Sequence, residues 1–194
     1  MMYTDILLVF VYSYFLGSIP FGFVLTKIFL KQDIRKVGSG NIGTTNVLRT
    51  GKKYLALATL LLDALKGYAS IIISSIYFND LIFLSALICF IGHIFPVWLS
   101  FKGGKGIAVY LGIIIALSFP LGIVFGFSWI LVAIIFRYSS LSSIVGALAV
   151  LSYSIFFNSY FLNFFLFVAF IIILFTHREN IRRLKNSEET KIKL

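Results

Sequence analysis

With 194 residues, 60% of them hydrophobic and only 12% charged, the chain lacks the polar surface that a soluble domain of this length needs, and its mean hydropathy of +1.01 points to a membrane as its solvent. Its 17 Lys and Arg outnumber 7 Asp and Glu, for a net charge of +10; in so apolar a chain that excess suits lipid head groups and anionic substrates, not nucleic acid. The single cysteine, Cys89, lies inside an apolar run, which excludes an intramolecular disulfide and suggests neither a metal cluster nor a cofactor.

A membrane-crossing helix takes about 20 mostly apolar residues. Residues 6–30 supply the first. No Lys or Arg precedes Lys27, so the basic start of a cleavable signal is missing and this run is expected to remain as a span. Residues 54–77 and 81–99 supply two more, separated by Asn79 and Asp80. Residues 106–136 are too long for one span, and Pro120 with Gly122 offers a break, giving 106–118 and 121–136. Residues 144–176 divide in the same way around Asn158, Ser159 and Asn163, giving 144–157 and 161–176. The tail after Ser187 reads as frayed. The length suits one domain over 1–194, and no sequence repeat is evident.

Charge sets the parity of the spans. Lys27, Lys31, Arg35, Lys36, Arg49, Lys52 and Lys53 flank or fill the first long loop. Lys102 and Lys105 occupy a second loop, Arg137 a third, and Arg178, Arg182, Arg183, Lys185, Lys191 and Lys193 the tail. The segments 1–5, 78–80, 118–122 and 158–163 contain no Lys or Arg. Basic loops lie on the cytoplasmic side, so each pair of basic clusters must be joined by two spans. The predicted fold is therefore an all-α, polytopic membrane helical bundle of seven transmembrane helices, N-terminus outside and C-terminus cytoplasmic. A five-span arrangement keeps the tail inside but places Arg137 outside.

The first basic loop carries GSGNIGTTNVLR, Gly38 to Arg49. Gly38, Gly40 and Gly43 free the backbone to turn its N–H groups towards an anion. Ser39, Asn41, Thr44, Thr45 and Asn46 add hydrogen-bonding side chains, and Arg49 offers a planar fork that matches phosphate oxygens. The glycines match G-x-G-x-x-G, but a dinucleotide fold needs a preceding strand, and this loop follows a membrane span. In the second loop Lys102 and Lys105 bracket Gly103 and Gly104, with Gly106 after them. This is either a second phosphate cradle or a pair of positive-inside lysines at a helix start; it lacks the spacing of a Walker A loop. His93, near the end of its span, is either a functional ionisable group or a neutral histidine bonded between helices. Asp63 and Lys66 share a helix face as an ion pair, which serves structure or braces a site. The stretch RYSSLSSI sets Ser142 and its neighbours near Arg137, and THRENIRRLK places His177 and Asn180 ahead of a basic amphipathic tail.

These motifs together with GSIPFG (17–22) and LDALKG (62–67) resemble, in order and spacing, the PlsY-type acyl-phosphate:glycerol-3-phosphate acyltransferases, integral membrane enzymes of bacterial phospholipid synthesis. The resemblance spans nearly the whole chain; Val109, where threonine is common, and the tail NSEE are local departures. It implies seven spans and transfer of a fatty acyl group from acyl phosphate to the sn-1 hydroxyl of glycerol 3-phosphate, giving lysophosphatidic acid and phosphate. It also implies a multi-pass protein of the bacterial inner membrane whose active site faces the cytoplasm. The expected partners are acyl phosphate, glycerol 3-phosphate and membrane lipid, with a monomer as the expected state.

An acyl phosphate is already activated, so no strong protein nucleophile is required. Ser39 is not in a G-x-S-x-G elbow, since Val37 and Asn41 flank it. The His-x4-Asp pair of soluble-type glycerolipid acyltransferases is absent, because Trp98 and Arg182 stand at the acidic positions after His93 and His177. Direct attack by the substrate hydroxyl is expected, with a substrate phosphate, or else His177 or His93, taking the proton. Ser39, Asn41, Thr45 and Asn46 are expected to position substrate. Arg49, Lys105 and His177 are expected to hold phosphate, Ser142 and Asn180 to support it, and His93, Lys102, Gly103 and Gly104 to line the binding loop. An organophosphate transporter is the alternative of a different class, but it would place its ligands near the midplane between repeated halves.

Overall fold

The computed structural model describes residues 2–156 and 159–192; Asn158, expected near a break, and Lys193, in the basic tail, lie outside them. Among the described residues every regular element is helical. Contacts divide the chain into two compact units, residues 1–117 and 118–194.

The first unit contains α1 (Met2–Ser18), α2 (Phe21–Leu30), α3 (Thr44–Leu48), α4 (Lys53–Tyr77), α5 (Ile82–Ile94) and α6 (Ile107–Leu117). The first predicted span is broken. Pro20 has no N–H and its ring disfavours a helical residue before it, so α1 stops at Ser18 and α2 starts at Phe21. The pair still makes an apolar stretch of 28 residues, Tyr3–Leu30. Lys53–Tyr77, Asn79–Leu99 and Phe119–Phe136 are also long and apolar enough to cross a membrane, and the bent pair Tyr160–Thr176 with Arg178–Lys185 would make a fifth such stretch.

The side chains of α4 are arranged opposite to those of a soluble helix. Thr59, Asp63, Lys66, Ser70 and Ser74 recur every three or four residues on its buried face, while Leu57, Leu61 and Leu65 recur every four on its exposed face. Such an exposed leucine stripe is stable against hydrocarbon. Small residues let the helices approach closely: a Cβ at Gly112 of α6 would overlap the Ala64 carbonyl of α4, and one at Gly17 of α1 would overlap the backbone of Cys89 on α5. Hydroxyls then cross-link the unit. Ser85 Oγ lies 2.9 Å from Ser13 Oγ and 2.8 Å from Ser70 Oγ, and Tyr12 Oη reaches Ser74 and Ser85.

The loop between α2 and α4 is held by an apolar plug. Ile34, Ile42 and Val47 are buried with Leu55 and Ala56 of α4 and with Leu99. Burying an aliphatic side chain of this size away from water contributes about 1.5–3 kcal/mol, which is enough to fix an otherwise glycine-rich segment. Asp33 accepts from the Arg35 backbone N–H at 3.0 Å and pairs with its guanidinium at 2.7 Å. The Arg35 hydrogen bonds hold the Asp33 carboxyl down at about 2.

The second unit contains α7 (Phe119–Phe136), α8 (Ser139–Ser154), α9 (Tyr160–Thr176) and α10 (Arg178–Lys185). The break expected at Pro120 falls at Ser118, with Pro120 in the first turn of α7. A first-turn residue needs no N–H partner, so proline starts this helix instead of interrupting it. The exposed face of α7 repeats Ile123, Phe127, Ile130 and Ile134, again a stripe suited to lipid.

The tail is docked, not frayed as far as it is described. Glu188 N–H donates to the Arg183 carbonyl at 2.8 Å, and Ile192 N–H donates to the Arg137 carbonyl at 2.6 Å. Between them, the Glu189 carboxylate accepts from Asn180 Nδ2 at 2.6 Å, Arg183 Nε at 2.7 Å and Ser140 Oγ at 2.8 Å. Asn180 and Arg183 lie within nine residues of Glu189, but Ser140 is 49 residues away on α8, a contact that no local pattern in the tail announces.

Candidate active site

Two glycine turns in the first unit present the predicted cationic residues. In the first turn, Gly38 and Gly40 take positive φ values of 55° and 72°, a region open to glycine at little cost. Asn46, buried at the third position of α3, ties this turn together. Its two Nδ2–H groups face three carbonyls, Asn41 at 2.8 Å, Val37 at 2.9 Å and Ile34 at 3.1 Å, so one is shared, and its Oδ1 accepts from Ser39 N–H at 2.9 Å. Asn46 thus positions the turn and has no face left for a substrate. Asn41 Oδ1 accepts from Gly43 N–H at 2.8 Å and shapes the start of α3.

Arg49 lies over Gly38: a Cβ there would overlap Asn46 Oδ1 and stand 3.0 Å from Arg49 Cδ. The guanidinium is exposed and has no hydrogen-bond or ion-pair partner among the described residues. The exposed Ser39 hydroxyl likewise has none. Thr45 is exposed on the same short helix. A free fork beside a free hydroxyl and a fixed turn is an anion-receiving arrangement.

The second turn folds back onto the end of α5. Gly103 N–H donates to the Ile94 carbonyl at 3.0 Å and Gly104 N–H to the His93 carbonyl at 3.1 Å. At Gly106, φ is 86° and the Phe90 ring fills the space of a side chain. Lys102 is exposed and without a partner among the described residues, and Lys105 is half-buried. These backbone bonds make the segment a fixed turn.

Beneath this turn, Lys66, Asp63 and His93 form a buried cluster. Lys66 Nζ donates to the Ile19 carbonyl at 2.6 Å and to His93 Nδ1 at 3.0 Å, and pairs with Asp63 Oδ1 at 2.8 Å. Two of the three ammonium N–H groups thus have acceptors within the cluster, and the Asp63 carboxylate balances the charge. Lys66 is accordingly a brace and not a substrate ligand. The sequence suggests the Asp63–Lys66 pair from its spacing and a neutral His93 bonded between helices, but not that Lys66 joins the two and reaches the Ile19 carbonyl. The available signal was Pro20, whose helix break leaves a carbonyl in apolar surroundings that needs a donor.

In the second unit, His177 ends α9 and is buried. Its Nδ1 lies 2.9 Å from the Ile173 carbonyl; a carbonyl only accepts, so Nδ1 carries a proton and Nε2 is the basic nitrogen of the neutral ring. Buried Ser142 donates to the Tyr138 carbonyl at 2.9 Å, which leaves its oxygen as an acceptor. Asn180 is buried and turned by its bond to Glu189. Burial alone would raise the Glu189 carboxyl, but hydrogen bonds from Asn180, Arg183 and Ser140 outweigh it and lower it. Glu189 is thus a support that the sequence reading did not find.

Cationic glycine turns mounted on apolar helices suit a membrane protein that handles phosphorylated substrates. A family profile described as glycerol-3-phosphate acyltransferase matches residues 7–187. The chain belongs to that family, the PlsY family of integral membrane proteins. A glycerol-3-phosphate acyltransferase of Pelagibacter ubique (strain HTCC1062) is 54% identical over 190 residues, covering 98% of this chain and 99% of the relative. One from Rhodopseudomonas palustris (strain HaA2) is 51% identical over 181 residues, covering 93% and 92%. The crystal structure of PlsY (YgiH) in its glycerol 3-phosphate form superposes with a TM-score of 0.91 at 33% identity, covering 97% of this chain and 96% of that one. Its lysophosphatidic acid form gives a TM-score of 0.88 at 33% identity, covering 97% and 95%. Membership in the PlsY family agrees with the resemblance read from the motifs.

Proposed function

We propose that this PlsY-family chain transfers a fatty acyl group from acyl phosphate to the sn-1 hydroxyl of glycerol 3-phosphate. The substrate oxygen attacks the acyl carbonyl carbon, the carbon–oxygen bond to phosphate breaks, and phosphate leaves with that electron pair. A substrate phosphate takes the hydroxyl proton, and the products are lysophosphatidic acid and inorganic phosphate. The observation that carries this reading is the unpaired Arg49 guanidinium held over the Gly38 turn beside the free Ser39 hydroxyl.

Direct attack without an acyl-enzyme is supported by the surroundings of Ser39. No histidine or carboxylate hydrogen-bonds its hydroxyl among the described residues, whereas an activated serine needs an adjacent base. Catalysis then rests on position and charge. Holding reacting groups in near-attack geometry supplies roughly 7–11 kcal/mol, and preorganised cations stabilise charge moving onto the leaving phosphate. Arg49 and Lys105 bind phosphate, Lys102 and the Gly103–Gly104 turn assist, and Ser39, Asn41 and Thr45 orient the acceptor. Asn46 keeps the first turn in shape. His177 holds phosphate as the imidazolium, its Nε2–H donating to a phosphate oxygen, and Ser142 and Asn180 support it.

The chain crosses the bacterial inner membrane seven times, with its N-terminus outside and its basic loops in the cytoplasm. Helix α6, 11 residues long, extends about 16 Å, so its crossing relies on local thinning or snorkelling. Purified protein in lipid vesicles, given acyl phosphate and glycerol 3-phosphate, tests the function. Lysophosphatidic acid is the expected product; uptake of glycerol 3-phosphate into vesicles without any product would instead identify a transporter.

A further inference from the structure

The cluster below the second glycine turn joins a charge pair to a loop. Asp63 and Lys66 sit one turn apart on α4, and His93 lies at the end of α5. Their side chains are 2%, 1% and 4% exposed, so none is a surface ion pair. The lysine reaches past the carboxylate to His93 Nδ1 at 3.0 Å, which ties the pair to α5. An ammonium has only donors, so Nδ1 accepts and the neutral ring carries its proton on Nε2.

The other side of that ring underlies the loop. A Cβ on Gly104 would overlap His93 Nε2, and one on Gly103 would overlap the His93 carbonyl. The Gly104 N–H is bonded to the same carbonyl at 3.1 Å. The imidazole therefore forms the floor of the turn, and Lys66 fixes the rotation of the imidazole. The Ile19 carbonyl and Asp63 fix Lys66 in turn. A rigid chain of contacts runs from the α1–α2 break to the backbone between Lys102 and Lys105.

We infer that Lys66 and His93 are positioning residues for a phosphomonoester site on the Gly103–Gly104 turn: Lys66 sets the His93 ring, and the ring sets where the Lys102 and Lys105 segment meets a phosphate dianion. The inference rests on the acyl-transfer reading. Both substrates of that reaction carry phosphate, and separate Michaelis constants distinguish them.

His93→Asn keeps an acceptor near the place of Nδ1 for Lys66 but removes the far side of the ring. With the protein in lipid vesicles, it is expected to raise KM for either glycerol 3-phosphate or acyl phosphate about tenfold, leaving the other KM and kcat within about threefold, because a displaced binding group loses ground-state contact first. The substrate whose KM rises is the one held by the turn. Gly104→Ala should cause the same selective rise in the presence of His93 and little further rise in the His93→Asn background, since ring and methyl compete for one space. The pair Lys66→Met with Asp63→Asn, which leaves no uncompensated charge, should reproduce the selective KM effect if His93→Asn is poorly folded. A simple structural role predicts fewer active molecules at unchanged KM values. Unchanged KM values for both substrates in folded variants, or a full Gly104→Ala penalty persisting without the imidazole, would overturn the inference. A wild-type protein that forms no lysophosphatidic acid would overturn the acyl-transfer reading itself, whereas normal wild-type activity with unaffected variants would overturn the positioning role alone.

Discussion

Arg49 and Asn46 stand three residues apart and illustrate two ways for a polar residue to serve one turn. Asn46 is buried with its carboxamide fully bonded to four backbone groups, while Arg49 is exposed without a partner among the described residues. Their substitutions should separate accordingly. Asn46→Ala leaves buried carbonyls unsatisfied and is expected to lower stability by about 2 kcal/mol or more, read as a lower unfolding midpoint in detergent together with lost activity. Arg49→Ala should leave that midpoint unchanged while reducing turnover about 100- to 1,000-fold, the usual scale for removing one charge-stabilising donor. An Asn46→Ala protein as stable as the parent would contradict the scaffold role. Sequence reading found both residues because glycine, asparagine and arginine types announce a turn and an anion. It could not separate their roles, since burial depends on Ile34, Ile42 and Val47 plugging the loop from below. Lys66 was legible as a partner of Asp63 through helical spacing, but its contact with His93 joins residues 27 apart in the chain.

Among the elements, α10 and the tail behave as one piece. Glu189, 7% exposed, receives Asn180, Arg183 and Ser140, which ties the tail to α8 and α10. Its carboxyl is lowered in the folded chain, so the unfolded chain binds the proton more readily. The stabilisation is therefore present above the ordinary glutamate value of about 4.3 and is lost as pH falls through the lowered one. The tail is expected to become protease-sensitive on acidification in that range. Glu189→Gln should make it sensitive at neutral pH as well; a tail equally resistant in the parent and in the variant at pH 7 would contradict the clasp. The helices themselves were legible from apolar run length. The breaks were less so, because Pro20 and Pro120 look alike in sequence. Pro20 separates two helices, whereas Pro120 sits in the first turn of one, and only the neighbouring backbone distinguishes these places.

For the whole molecule, the proposed topology is set by where the basic residues sit. Seven crossings put the Arg137 loop in the cytoplasm, and five put it outside. In a Cys89→Ala background, Tyr138→Cys should react with a membrane-impermeant thiol reagent only after cells are permeabilised. Labelling of intact cells would favour five crossings. Under the proposed function, the same sidedness would bring phosphorylated substrates from the cytoplasm to Arg49 and the two glycine turns. The most direct test of acyl transfer measures lysophosphatidic acid and inorganic phosphate together, from acyl phosphate and glycerol 3-phosphate, with the parent and Arg49→Ala proteins in lipid vesicles. Equal amounts of the two products from the parent, and a collapse of both in Arg49→Ala at unchanged stability, are predicted; phosphate release without lysophosphatidic acid, or near-parental turnover by Arg49→Ala, would contradict the account.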